Sequence, residues 1–245
     1  MVFVTGASSG IGLATAKAFA ALGAKVAVNG RSVEVLERLA SEIGAIACPA
    51  DVLDEEAING AVAHAVSELG SIDVLVNCAG VLVGGTAQET TTACWDANFN
   101  VNARGAFVCM HAAMPHLLKS KGNIVNVSSV NGQQSFQGCM AYCASKAAVD
   151  QMTRCAAVDL APLGVRCNSV NPGVVRTELQ KRGGMDEGKY EAFLERSKAT
   201  HPIGRVAEPE ECAELILFLA DNAKAGMVTG SCITIDGGRA CLGAR

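Results

Sequence analysis

Tyr142 and Lys146 stand four residues apart in the run Cys139-Met140-Ala141-Tyr142-Cys143-Ala144-Ser145-Lys146, which contains no glycine or proline. In a helix this spacing puts a phenol and an ammonium on one face, about 5–6 Å apart at Cβ. A free tyrosine titrates near pH 10, roughly three units too high to exchange protons usefully with an alcohol or carbonyl at neutral pH. A neighbouring cation favours the phenolate, and each unit of depression represents about 1.4 kcal/mol. Lys146 is the first such charge, so the pair is expected to form an acid/base group whose phenol the lysine makes more acidic. Alone, the pair also describes an ordinary helix with one half-buried aromatic and one solvated lysine. The rest of the chain has to separate the two.

Residues 1–5 are a short apolar strand, followed by Gly6-Ala7-Ser8-Ser9-Gly10-Ile11-Gly12 and a helical pattern that stops at Gly23. Strand, glycine turn and helix together suit a diphosphate: the glycines admit it to the backbone, and the amides and dipole of the helix N-terminus favour its charge. The same letters satisfy G-x-S-x-G, which would make Ser8 the nucleophile of a serine hydrolase with His201 as its base. That arrangement needs several strands before the elbow, whereas Ser8 follows the first. The second strand, 25–29, ends on Asn29-Gly30-Arg31. A unit selective for NAD usually presents a carboxylate to the ribose there. Arg31 instead offers a guanidinium fork to a 2′-phosphate, so NADP is expected, with NAD as the alternative.

A third strand, 45–50, ends at Asp51-Val52, where the carboxylate could accept from an adenine amino group. The fourth, 72–76, closes on Asn77-Cys78-Ala79-Gly80, four small residues that leave room for a ligand. Residues 90–119 form a long helical pattern carrying Trp95 and Asn102, which Pro115 should bend or end. An amide such as Asn102 in an apolar helix needs a partner. The fifth strand, 122–127, delivers Ser128 and Ser129, the latter thirteen residues before Tyr142. After the Tyr/Lys helix, 140–160, a sixth strand at 165–170 runs into Asn171-Pro172-Gly173-Val174-Val175-Arg176-Thr177. Residues 178–202, of mixed charge, read as a mobile lid with one short helix over the substrate. Gln137, Met140, Leu179 and Met185 are candidates for the pocket wall. A helix at 209–220 and a strand at 231–235 complete an α/β, doubly wound parallel sheet of Rossmann type, with about seven strands, helices on both faces, and one domain over 1–245.

Half of the 245 residues are hydrophobic, enough for a large core, and the net charge of −4 gives no electrostatic reason to expect nucleic acid or an anionic membrane. No apolar run approaches the roughly 20 residues of a membrane span. The eleven cysteines contain no C-x-x-C pair, so neither a disulfide framework nor a metal site is indicated, and a reducing, cytoplasmic setting is expected. Cys139 and Cys143, at helical spacing beside Tyr142, could make the site sensitive to oxidation.

Taken together, Thr5-Gly6-x-x-x-Gly10-x-Gly12, Asn77-x-Ala79-Gly80, Asn102, Ser129, Tyr142-x-x-x-Lys146 and Pro172-Gly173 resemble the short-chain dehydrogenase/reductase family across almost the whole chain. Cys78 replaces an asparagine often found in that family's Asn-Asn-Ala-Gly motif. The resemblance implies that Tyr142 is the general acid/base and that Ser129 polarises the substrate oxygen. It implies that Lys146 lowers the tyrosine pKa and binds nicotinamide ribose, and that Asn102 holds a water relaying protons from Lys146 to solvent. Gly6, Ser8, Gly10, Ile11 and Gly12 would border the cofactor phosphates, Asp51 and Val52 the adenine, and Val175 and Thr177 the carboxamide. Asn77, Ala79, Gly80, Pro172 and Gly173 would complete the cofactor site. The implied reaction moves a hydride between NADP(H) and a carbonyl or secondary alcohol, in the sense of ketone or 3-oxoacyl reduction, by a homotetramer or dimer. NAD-dependent oxidation of a secondary alcohol is the alternative within the family, and NADP binding without catalysis lies outside it.

Overall fold

Apolar residues alternate within the strands: Val2 and Val4 face one side of the sheet and Phe3 the other, as do Val74 and Val76 against Leu75. That period of two, with both faces apolar, requires helices on both sides. The computed structural model describes residues 1–242 and has that layered form. Seven parallel strands, β1 (Val2–Val4), β2 (Val26–Gly30), β3 (Ile46–Pro49), β4 (Val74–Asn77), β5 (Asn123–Val127), β6 (Arg166–Pro172) and β7 (Cys232–Ile235), pair in the order β3-β2-β1-β4-β5-β6-β7. The doubly wound Rossmann-type sheet expected from the sequence is therefore present.

On one face α1 (Gly10–Ala21), α2 (Val33–Ile43) and α9 (Pro209–Ala220) bury Phe19, Leu36, Leu39, Ile216 and Leu219 over Val4, Val28, Val76 and Val125. On the other, α3 (Glu55–Leu69), α5 (Gly105–Ser120) and α6 (Met140–Leu160) cover Phe3, Leu75, Ile124 and Cys167. Strand order reverses between β1 and β4, and a ligand crevice is expected beyond the carboxyl ends of the strands at such a point. No helix among the described residues is long and apolar enough to cross a membrane.

Two local expectations need correction. The long helix at 90–119 is three pieces: α4 (Thr92–Phe99), a π-helical turn (Asn100–Arg104) and α5. Pro115 neither ends nor interrupts α5, which continues to Ser120, because it lies on the exposed side where water can take the carbonyl it disrupts. In the segment 178–202 there are two helices, α7 (Leu179–Arg182) and the longer α8 (Glu187–Ala199). Asp186 caps α8 by accepting from Lys189 N at 2.9 Å, and Tyr190 and Leu194 pack with Val174 and Val206 as a small separate core. A last short helix, α10 (Asn222–Ala225), follows α9.

Candidate active site

A cleft of about 460 Å³ opens beyond the strand ends, from Arg31 and Asp51 past the glycine turn to Tyr142 and Lys146. Its floor depends on two glycines. Gly10 has φ +55°, and a Cβ there would come 3.0 Å from Thr177 Cγ2 across the cleft. A Cβ on Gly12 would strike the Gly6 carbonyl oxygen, so helix α1 can start this close to β1 only without a side chain. Ser9, at the N-cap, gives the first turn no side-chain bond, which leaves the amides of that turn available to an anion. These residues fit a nicotinamide dinucleotide, whose diphosphate charge the amides of that turn would match.

Tyr142 and Lys146 lie one turn apart on α6, only 6% and 5% exposed. Burial pushes the Tyr142 phenol up to about 12. The Ser129 hydroxyl opposes that shift, although its own bonds are to Asn131: Oγ accepts from the Asn131 N–H at 3.1 Å and donates to Oδ1 at 3.4 Å. Lys146 lines the same cleft beside the phenol. Its Nζ is 5.8 Å from the tyrosine ring centroid and donates to the Val127 carbonyl at 2.8 Å. Burial brings it down to about 8, against the pull of the Asp150 carboxylate one turn further on. In the protein by itself burial is the largest influence on both groups, raising the phenol and lowering the ammonium, so each moves toward its neutral form.

Asn102 sits in the π-helical turn with its amide fully engaged. Oδ1 accepts from Val81 N at 2.8 Å, while Nδ2 donates to Val81 O at 3.0 Å and to Ser145 Oγ at 2.9 Å. Ser145 in turn donates to the Tyr142 carbonyl at 2.8 Å. Asn98 makes the same two-bond clamp one turn earlier, on Val83 N at 3.2 Å and Val83 O at 3.0 Å. The two asparagines thus stand in for a neighbouring strand along residues 81–83. Asn98 does so from the end of α4 and Asn102 from the π turn that follows it.

The other site residues fall into two groups. Gly6, Ser8, Gly10, Ile11, Gly12, Arg31, Asp51, Val52, Ala79, Gly80, Ser129, Pro172, Gly173, Val175 and Thr177 all border the same cleft as Tyr142 and Lys146. Asn77 and Asn102 do not line it. Asn77 is 4% exposed, and its Nδ2 donates to Asn126 Oδ1 at 2.9 Å inside the sheet, so it supports the turn from behind. His201 is likewise spent on structure: its Nε2 accepts from Val174 N at 3.1 Å and its Nδ1 meets the Ser197 carbonyl at 2.6 Å, tying α8 to the cleft wall. Gln137, Leu179 and Met185 reach the wall but Met140 does not, whereas Phe136, Gln180, Arg182, Phe193 and Arg239 reach it unforeseen.

A parallel sheet with a diphosphate-sized glycine turn and a buried phenol opening on one cleft has the layout of a nicotinamide-dependent oxidoreductase. The family model described as "Enoyl-(Acyl carrier protein) reductase" matches residues 6–240. The chain is 39% identical over 241 residues to meso-2,3-butanediol dehydrogenase of Serratia marcescens, covering 97% of this chain and 93% of that protein. It is 39% identical over 241 residues to the 3-oxoacyl-[acyl-carrier-protein] reductase FabG of Thermotoga maritima, covering 96% and 95%. A crystal structure of a short-chain dehydrogenase/reductase of unknown function from Caenorhabditis elegans, solved with cofactor, matches with a TM-score of 0.93 at 35% identity over 99% of this chain and 96% of that one. The chain belongs to the short-chain dehydrogenase/reductase family, oxidoreductases that act on alcohol and carbonyl groups with a nicotinamide cofactor.

Proposed function

We propose that the protein is an NADP(H)-dependent reductase of ketone or 3-oxoacyl substrates in which Tyr142 is the proton donor. The observation that carries this reading is geometric: the Tyr142 phenol, Lys146 and Ser129 line the same cofactor-sized cleft as the glycine turn. A protonated phenol is the form that donates in carbonyl reduction, and positive charge brought beside it on cofactor binding would lower its pKa toward the working range. The reduced nicotinamide that these residues would hold would supply the hydride for the carbonyl carbon. Tyr142 Oη gives its proton to the carbonyl oxygen, which becomes the alcohol hydroxyl, and solvent returns a proton to the phenolate. Ser129 Oγ donates a hydrogen bond to that oxygen and orients it. The Lys146 ammonium, which donates to the Val127 carbonyl, would use its remaining N–H groups to hold the cofactor's ribose, and Asn102 keeps the Gly80–Val81 backbone in register with α6.

Arg31 supports NADP over NAD, since it borders the cleft and takes part in no ion pair among the described residues. Residues 178–202 serve as the substrate lid, through α7 and α8. The protein acts in the cytoplasm as a homotetramer or dimer, a reading supported by exposed Phe107 on α5 and Val158 on α6, 55% and 75% accessible. NAD-dependent oxidation of a secondary alcohol is the rival reading, favoured by the likeness to a butanediol dehydrogenase. Fluorescence titration with NADPH and NADH, followed by a panel of ketones and secondary alcohols, separates the two. Reduction with NADPH should dominate at neutral pH. Turnover confined to NAD and alcohols would overturn the proposal.

A further inference from the structure

Arg239 is a half-buried cation at the substrate end of the cleft, and none of its side-chain donors has a protein acceptor among the described residues. Its Cζ lies 4.6 Å from the centroid of Phe136, in the loop that leads into the Tyr142 helix. The backbone around it is firmly held. Gly238 N and Ala240 N donate to the Asp236 carboxylate at 3.0 and 2.6 Å, and Gln134 Nε2 donates to Ala240 O at 2.6 Å. The nearest carboxylate is thus spent on amides, and the guanidinium faces the cleft with a ring behind it.

Such a cation loses solvation in a cleft without gaining an ion pair, while five N–H donors in a fixed fork match a carboxylate or phosphate. On the lid side of the same cleft Arg182 also has no ion pair among the described residues, whereas the carboxylate beside it, Glu178, is engaged by Lys181 at 3.4 Å. Arg239 and Arg182 are thus the guanidinium groups at this end of the cleft that have no ion pair among the described residues. We infer that this end of the cleft recognises an anionic group, a carboxylate or a phosphate, carried by the substrate beyond its reacting carbonyl, with Arg239 as the principal ligand and Arg182 as the second. The inference rests on the proposed carbonyl reduction for its chemistry, but the anion site can be read without turnover.

Two matched substrate pairs test it: short-chain oxo acids against their methyl esters, and acetoacetyl-coenzyme A against acetoacetyl-N-acetylcysteamine. The charged member of at least one pair should be preferred in kcat/KM, and which pair it is assigns the site to carboxylate or phosphate. In Arg239→Gln that preference should fall by about 10- to 100-fold, the scale of a lost charge-assisted pair, with part retained in Arg239→Lys. Arg38→Gln, on the exposed face of α2 outside the cleft, should leave it intact. Equal turnover within both pairs, or a preference untouched by Arg239→Gln, overturns the inference. Should no carbonyl be reduced with either nucleotide, the reductase reading fails by itself, and calorimetric titration with the same oxo acids and with coenzyme A decides the anion site. Binding weakened in Arg239→Gln sustains it, and absence of binding overturns it.

Discussion

The Lys146 ammonium donates to the Val127 carbonyl at 2.8 Å. This bond ties helix α6 to the end of β5, the strand that delivers Ser129, so the catalytic wall is built around a cation taken out of water. Burial lowers Lys146 to about 8 from 10.5. Between those values the unfolded chain holds more protons than the folded one, so this group makes stability rise with pH across that window and exerts its full penalty below it.

Lys146→Met is accordingly expected to be more stable than the wild type at pH 7, by on the order of 1–2 kcal/mol after the loss of one hydrogen bond, with the gap closing toward pH 10. Denaturant melts across that range check it. A variant less stable at pH 7 would mean that the buried ammonium is a net asset to the fold.

Asp150, 1% exposed, accepts from Asn171 Nδ2 at 2.8 Å and Ser169 Oγ at 3.1 Å, and the same Asn171 amide donates to the Ser129 carbonyl at 2.9 Å. Asp150→Ala should cost about 2–4 kcal/mol by stranding these donors. It also removes a charge that raises the Lys146 pKa, so the fall of nucleotide affinity with rising pH should move to lower pH. An unmoved profile would show that Asp150 acts on packing alone.

Removing the Asn102 amide leaves both polar groups of Val81 without their partner. For Asn102→Ala we expect a loss of about 2–3 kcal/mol in urea unfolding, with weaker cofactor binding as Gly80 loses its restraint. Asn98→Ala should match the stability loss but disturb cofactor binding less, because its clamp is on Val83, farther from Gly80.

Arg31→Ala should weaken NADPH binding by about 10- to 100-fold and leave NADH nearly unchanged, the signature of a lost phosphate contact. Parallel fluorescence titrations read both. Equal losses, or none, would remove the basis for the cofactor preference.

Much of the site was legible because its chemistry lies at strand ends, where turn composition is informative: Gly10, Gly12, Arg31, Ser129 and Gly173 all border the cleft. What stayed hidden depends on partners far away in sequence. Asn98 looks like any helix residue until Val83 runs beside it, and Asn77 looks like a ligand contact until Asn126 is seen to take its amide. Helix α8 was concealed by its charges, since Lys189 with Asp186 and Lys198 with Glu195 dilute the periodicity that Tyr190 and Leu194 carry. The Tyr142 phenol shows the limit of spacing as a guide to its pKa. Spacing reveals the neighbouring cation but not the depth of burial, and here burial has the larger effect.

The assignment of Tyr142 as proton donor is tested most directly by Tyr142→Phe, assayed for NADPH-dependent ketone reduction with nucleotide affinity measured in parallel. Loss of the proton should lower kcat by about 10²- to 10⁴-fold while NADPH still binds. Near-normal turnover in a variant that binds NADPH would contradict it.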